Sequence, residues 1–184
     1  MMNAYSSPDR FYHNFTHIHD CLSVFDETSF LATHPEEVEL AIWFHDAVYD
    51  TSRNDNEQRS SEWAEVVVQN AGLSWQTAER VTSLILATRH QEEVKGVDAQ
   101  LMVDVDLSIL GRDPAVFWQY EENIRKEYAW VPEELFRRER VKILRSFLDR
   151  QHLYYYNEYR ERFEAMARAN LEQAIASLDG SQGS

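Results

Sequence analysis

Only five Gly and four Pro interrupt 184 residues, and two of the glycines fall within the final five positions. So few breakers over that length favour long helices. From Arg10 to about Leu31, Phe11, Phe15, Ile18, Leu22 and Phe25 recur every three or four residues, the spacing of one helical face. His34-Pro35-Glu36-Glu37 opens a second helix, with acids in its first turn, that runs to about His45. The stretch from Tyr49 to Asn56 is polar and turn-rich and reads as a loop. A third helix runs from about Asn56 to Gly72, a capping position, and a fourth starts after Ser74 and ends near Arg89-His90. Gln91 to Ala99 is a second polar loop. Leu101 to Leu110 is apolar apart from Asp104 and Asp106, a character that does not separate strand from helix. Asp113-Pro114 supplies an N-cap and first residue for another helix, and Pro132 does the same for a helix from Val131. A long amphipathic segment follows from about Leu153 to Leu178. The expectation is an all-α chain of about six to eight helices. It has a loose leader over 1–9, one helical domain with a C-terminal extension over 10–178, and a disordered tail over 179–184.

Composition narrows the partners. Apolar residues make up 43% and charged residues 27%, an ordinary globular balance at a length that suits one self-supporting core. The formal net charge of −14 repels nucleic-acid backbones and anionic membranes. It leaves room for a small phosphate ester held by a metal and a few local arginines. A lone cysteine, Cys21, cannot form an internal disulfide and suits a reducing compartment; it reads as a small core residue. The first ten residues lack the apolar centre of a signal peptide, and no apolar run reaches membrane-span length. A cytoplasmic protein is expected, with neither a nucleic-acid polymer nor a membrane as partner and with homodimer formation left open.

The chemistry sits where charge interrupts apolar runs. Seven histidines occur. His13, His17 and His19 fall on the expected first helix, where residues four apart share a face. His45 and Asp46 lie inside Ile42-Trp43-Phe44-His45-Asp46-Ala47-Val48-Tyr49, and Asp104 and Asp106 inside Leu101-Met102-Val103-Asp104-Val105-Asp106-Leu107. A single histidine on an apolar face is usually a satisfied core residue, but a buried carboxylate must be paired or bound to metal. Imidazole and carboxylate together are the usual ligands for a divalent ion with labile positions. Neighbours on a helix point about 100° apart, so His45 and Asp46 reach one ion only near a helix end or a distortion. An acid from a distant segment would close the site, and both Asp104 and Asp106 fit that position.

His17, the His45-Asp46 doublet and Asp106 resemble the H…HD…D signature of the HD superfamily of metal-dependent phosphohydrolases. His13-Asn14-Phe15-Thr16-His17, preceded by Tyr12, resembles the Tyr-His-Asn-x-x-His stretch of cyclic-nucleotide phosphodiesterases in that superfamily. The stretch Ala41 to Asp50, Asn56-Glu57 with Ser60, and Asp104 to Gly111 are similar to a bacterial family of predicted HD phosphohydrolases. So are Ile124 to Tyr128, Arg140 with Leu144, and Ala167 to Leu171. The resemblance spans about residues 10–172 and implies a compact all-helical HD bundle. It implies His17, His45, Asp46 and Asp106 as ligands to one divalent ion (Mn, Fe, Co, Ni, Zn or Mg), and it favours Asp106 over Asp104 because Leu107-Ser108 follows. It implies His13 as the acid for the leaving oxygen, with Asp46 and Glu57 as further catalytic candidates. A second ion is an open expectation, with Asp50, Glu57 and His90 as its candidate donors.

The substrate side is read from residue type. His90 is either a phosphate contact, a support for the ligands, or a helix-end histidine favoured by the macrodipole. Arg125, Arg140 and Arg168 are candidate phosphate forks, since guanidinium matches phosphate bidentately; in so charged a chain a solvated surface role is the commoner one for any single arginine, and Arg125 and Arg140 are the two preferred for substrate binding. The run Leu153-Tyr154-Tyr155-Tyr156 fits core packing better than a base pocket. The leading expectation is a metal-dependent phosphohydrolase acting on a small phosphate ester, such as a nucleotide, through metal-activated water. A zincin protease is excluded because Asn14 occupies the position after His13 where the catalytic Glu would stand, and a Walker-type nucleotide switch because no Gly-rich loop exists. Two alternatives stay open: an HD-fold di-iron oxygenase, and a non-catalytic metal- or effector-binding module.

Overall fold

Asn14 starts the first helix. Its side chain accepts from the Thr16 N–H at 2.8 Å, while its amide donates to the Phe11 carbonyl at 2.9 Å, so the chain enters the helix through a turn. In the computed structural model, which describes residues 2–90 and 94–180, α1 therefore spans Phe15–Thr28. The sequence expectation of a helix from Arg10 is corrected here: Phe11 and His13 lie before it, because the Asn14 side chain caps α1 at that point. The buried face is His17, Ile18, Cys21, Val24, Phe25 and Thr28, and Leu22 is only half-buried. Within the segment expected as a leader, Tyr5 closes a 3₁₀ turn (Met2–Tyr5), is buried and donates its hydroxyl to the Trp43 carbonyl.

The remaining helices of the first unit follow from the caps. Helix α2 (Pro35–Phe44) opens with Pro35 in its first turn. Helix α3 (Asn56–Asn70) is followed by Gly72, whose φ of 75° is the left-handed conformation that glycine tolerates. Helix α4 (Trp75–Ala87) is capped by the Ser74 hydroxyl, which accepts from the Thr77 N–H. Helix α5 (Val97–Asp106) resolves the Leu101 segment as helix, and Leu101 to Val105 are all buried. Five consecutive buried residues show no one-sided stripe, which is why the periodicity of this segment was unreadable. Paired charges tie these helices together: Arg80 on α4 forks onto the buried Glu37 of α2 at 2.6 Å. Asp98 on α5 accepts from the Thr33 and His34 backbone before α2.

The chain, read from sequence as one helical domain over 10–178, comprises two compact units, Met1–Asp106 and Leu107–Ser184. The second opens with a 3₁₀ turn, Leu107–Gly111, followed by α6 (Pro114–Glu127) and α7 (Glu133–Leu148). Helix α7 starts two residues later than expected, because a residue before proline is disfavoured in the α region and Val131 precedes Pro132. A short α8 (Asn157–Tyr159) passes through a π-helical turn, Arg160–Glu164, into α9 (Ala165–Gly180). Asp179 and Gly180, assigned to a disordered tail, end α9, where Asp179 pairs with Arg145; 181–184 lie outside the described residues, as do 91–93 of the second polar loop. Tyr154 is buried against Tyr159 and Phe163 and donates to the Leu107 carbonyl, so the aromatic run packs a core.

Among the described residues the chain is all-helical without a strand, and seven helices plus the interrupted C-terminal one fall within the expected six to eight. No described helix is long and apolar enough to cross a membrane.

Candidate metal centre

Three elements of the first unit deliver four donor atoms to one place. His17 comes from the first turn of α1, His45 and Asp46 from the C-terminus of α2, and Asp106 from the last residue of α5. His45 is still helical as the C-cap residue, and the chain turns at once after it. That turn lets two sequence neighbours converge. His45 Nε2 lies 3.1 Å from Asp46 Oδ2, 3.1 Å from His17 Nε2 and 3.5 Å from Asp106 Oδ1. His17 Nε2 lies 3.5 Å from Asp46 Oδ2 and 3.3 Å from Asp106 Oδ1. Of the two acids left open by the sequence, Asp106 is the one that meets the histidines; Asp104 is wholly buried in α5.

The donor set fits a divalent ion. Bonds of about 2.0–2.2 Å to nitrogen and oxygen place neighbouring donors roughly 3.0–3.5 Å apart, the spacing observed. His45 Nδ1 faces the Ile42 carbonyl at 2.9 Å. A carbonyl only accepts, so Nδ1 carries a proton, and in the neutral imidazole it is Nε2 that turns a lone pair toward the cluster. His17 and Asp46 with His45, and His17 and Asp106 with Cys21, each form a group compact enough to hold an ion. Cys21, read from sequence as a small core residue, is buried with its sulfur 3.7 Å from His17 Nδ1. Its position four residues after His17 was the available signal.

Charge follows the same geometry. Burial alone would push the Asp46 and Asp106 carboxyls up; the imidazoles of His45, His13 and His17 for Asp46, and of His17, His45 and His90 for Asp106, hold both well below the ordinary range. Burial would push His17 and His45 down. For His45 the carboxylates of Asp46 and Asp106 reverse this, and for His17 Cys21, Tyr12 and the same carboxylates do so, raising both imidazoles well above 6.5.

Around the cluster, His13 is the turn residue before α1 and its ring stacks on Tyr49 at 4.0 Å. It does not share a helix face with His17, because the Asn14 cap separates the two. Arg10, which sequence reasoning missed, donates to the carbonyls of His13, Asp46 and Ala47. Asn56 and Ser60, one turn apart on α3, hold the segment after the doublet. Asn56 exchanges two hydrogen bonds with the Asp50 backbone, and the Ser60 hydroxyl bonds both backbone groups of Val48.

Of the residues considered for a second ion, Asp50 turns back onto Ser52 at 2.6 Å and Glu57 faces Arg89 at 4.0 Å. His90 meets Asp106 at 2.9 Å. Glu57 is thus not brought to the four donors by any contact among the described residues.

The arginines preferred for substrate are engaged inside the second unit. Arg125 donates to Glu133 and to the Tyr128 and Val131 carbonyls, closing the turn between α6 and α7. Arg140 is buried and donates to both Glu121 oxygens and to the Tyr120 hydroxyl. Arg168 bonds Glu164 and the carbonyls of Leu148, Arg150 and Gln151. All three guanidinium groups thus meet protein acceptors within the second unit. No family model, curated protein or solved structure matches the chain.

Proposed function

We propose that this chain is a metal-dependent phosphohydrolase of a small phosphate ester, such as a nucleotide, that holds one divalent ion on His17, His45, Asp46 and Asp106. One observation carries the reading: two buried imidazoles and two carboxylates from three helices converge with donor atoms 3.1–3.5 Å apart. Such a group is costly to bury without a cation at its centre. A divalent ion held by these four residues would supply a water of lowered pKa and polarise a phosphoryl oxygen. Imidazole is a suitable proton donor near neutral pH, and His13 lies close enough to Asp46 to help hold its carboxyl low. In this reading the Tyr49 ring fixes the His13 imidazole, and His13 gives its proton to the leaving oxygen. The phosphate-ester class comes from the resemblance to the HD superfamily. The net charge of −14 supports a small substrate over a polymer, and a cytoplasmic setting suits the single cysteine.

The test is metal analysis of the purified protein coupled to a screen of nucleotide monoesters, diesters and pyrophosphates. Asp46→Ala is expected to lose metal and turnover while keeping its helical circular dichroism. His13→Asn is expected to keep metal and lose roughly 10²–10⁴-fold in kcat. Full turnover by Asp46→Ala would sink the proposal.

A further inference from the structure

His90 is the one non-glycine residue with positive φ among the described residues, at 56°. It follows the end of α4, after the Thr88 C-cap and Arg89. A side chain in this left-handed region is held there by its surroundings, and such residues concentrate at functional sites. The backbone places the His90 ring with Nε2 2.9 Å from Asp106 Oδ2. Asp106 uses its other oxygen, Oδ1, toward His17 and His45. The carboxylate is therefore divided, one oxygen facing the ligand cluster and one facing His90. An ionised carboxylate has no proton to give, so His90 Nε2–H is the donor.

We propose that His90 is a positioning residue for the metal centre: its left-handed backbone aims Nε2–H at Asp106 Oδ2 and fixes the carboxylate so that only Oδ1 is presented to the ion. This rests on the metal reading above. Groups that orient a ligand in this way typically change metal affinity 10–100-fold when removed. The role also explains why a histidine, and not glycine, occupies a position whose backbone suits glycine: the ring is needed by Asp106.

The experiment titrates Mn²⁺ into metal-free wild type, His90→Ala, His90→Gly and His90→Gln by calorimetry, and records the melting temperature of each metal-free protein. Wild type is expected to bind one ion. His90→Ala and His90→Gly lose the same 10–100-fold in affinity, since both lack the ring. Metal-free His90→Gly melts above His90→Ala, since glycine adopts this φ without strain. His90→Gln, whose amide can still donate, recovers part of the affinity. A wild type that takes up no ion overturns the metal reading and this inference with it. A wild type that binds one ion while His90→Ala or His90→Gly binds it equally tightly overturns the inference alone. So does a second ion in wild type that vanishes in His90→Ala, because His90 is then a ligand itself.

Discussion

Arg10 Nη1 donates to the main-chain oxygen of Asp46 at 2.6 Å, across 36 residues of sequence. Its other arm reaches the Ala47 carbonyl at 3.1 Å. These carbonyls follow the C-terminus of α2, where backbone acceptors lack helical partners. One guanidinium thus fixes the backbone of the His45-Asp46 doublet while the Asp46 side chain stays directed at the imidazoles. The same group lies over the rings of Tyr5 and Tyr49, so it joins the N-terminal segment to the loop on which His13 stacks. Arg10→Ala is expected to cost about 1.5–3 kcal/mol in urea denaturation, the range for hydrogen bonds from a charged donor, and to weaken metal retention. Arg10→Lys recovers only part, because an ammonium lacks the planar fork. An unchanged denaturation midpoint in Arg10→Ala would contradict this.

The opposed charges at the centre set a pH dependence whose sign differs with and without metal. His17 and His45 are raised in the fold, so their contribution to the metal-free protein is complete below pH 6.5 and is lost as pH rises through their raised values. Asp46 and Asp106 are lowered, so theirs is complete above pH 3.8 and is lost as pH falls through their depressed values. Both contributions coexist between these limits. A metal ion needs neutral imidazoles, so its binding releases protons and tightens as pH rises. The gap in melting temperature between Mn²⁺-loaded and metal-free protein is therefore expected to widen from pH 5.5 to pH 8. Calorimetric titrations in buffers of different ionisation enthalpy are expected to show proton release on binding. A gap that narrows over this range, or binding without proton release, counts against the assignment.

How legible this was depended on whether a residue's reason was local. The meeting of His45-Asp46 with His17 and Asp106 could be anticipated because acids and imidazoles in an apolar run need partners, and because the four together resemble the H…HD…D pattern. Helix α5 could not be read as helix, since burial on all sides erases periodicity from Leu101 to Val105. The start of α1 was misplaced because Phe11 keeps the helical spacing from outside the helix; only the Asn14 cap reveals the boundary. The partners of the arginines were not legible for a different reason. Residue type says that Arg125 and Arg140 can bind phosphate, but not that they pair with Glu133 and Glu121, which lie 8 and 19 residues away. The backbone contacts of Arg10 and the positive φ of His90 leave no pattern in sequence, although His90 was singled out there by residue type.

The turn Leu107–Gly111 offers a stability test independent of any metal. A Cβ built on Gly111 would stand 2.5 Å from Phe163 Cβ, 2.7 Å from its carbonyl oxygen and 2.8 Å from its Cα. Two of those three atoms are backbone, in the π-helical turn, and cannot rotate away. The turn itself is pinned on both sides, because the buried Asn170 amide donates to the Leu110 and Arg112 carbonyls at 2.9 Å each. Gly111 does not have positive φ, so the demand is for space and not for a left-handed backbone. Gly111→Ala is therefore expected to destabilise by about 1–3 kcal/mol, the range for overpacking a filled interior. Gly180→Ala is the control: nothing lies within 4 Å of its Cβ position, and alanine is the better helix former, so no loss is expected there. Denaturation curves for the two variants decide the matter, and a Gly111→Ala midpoint as high as that of Gly180→Ala would show that the turn can yield.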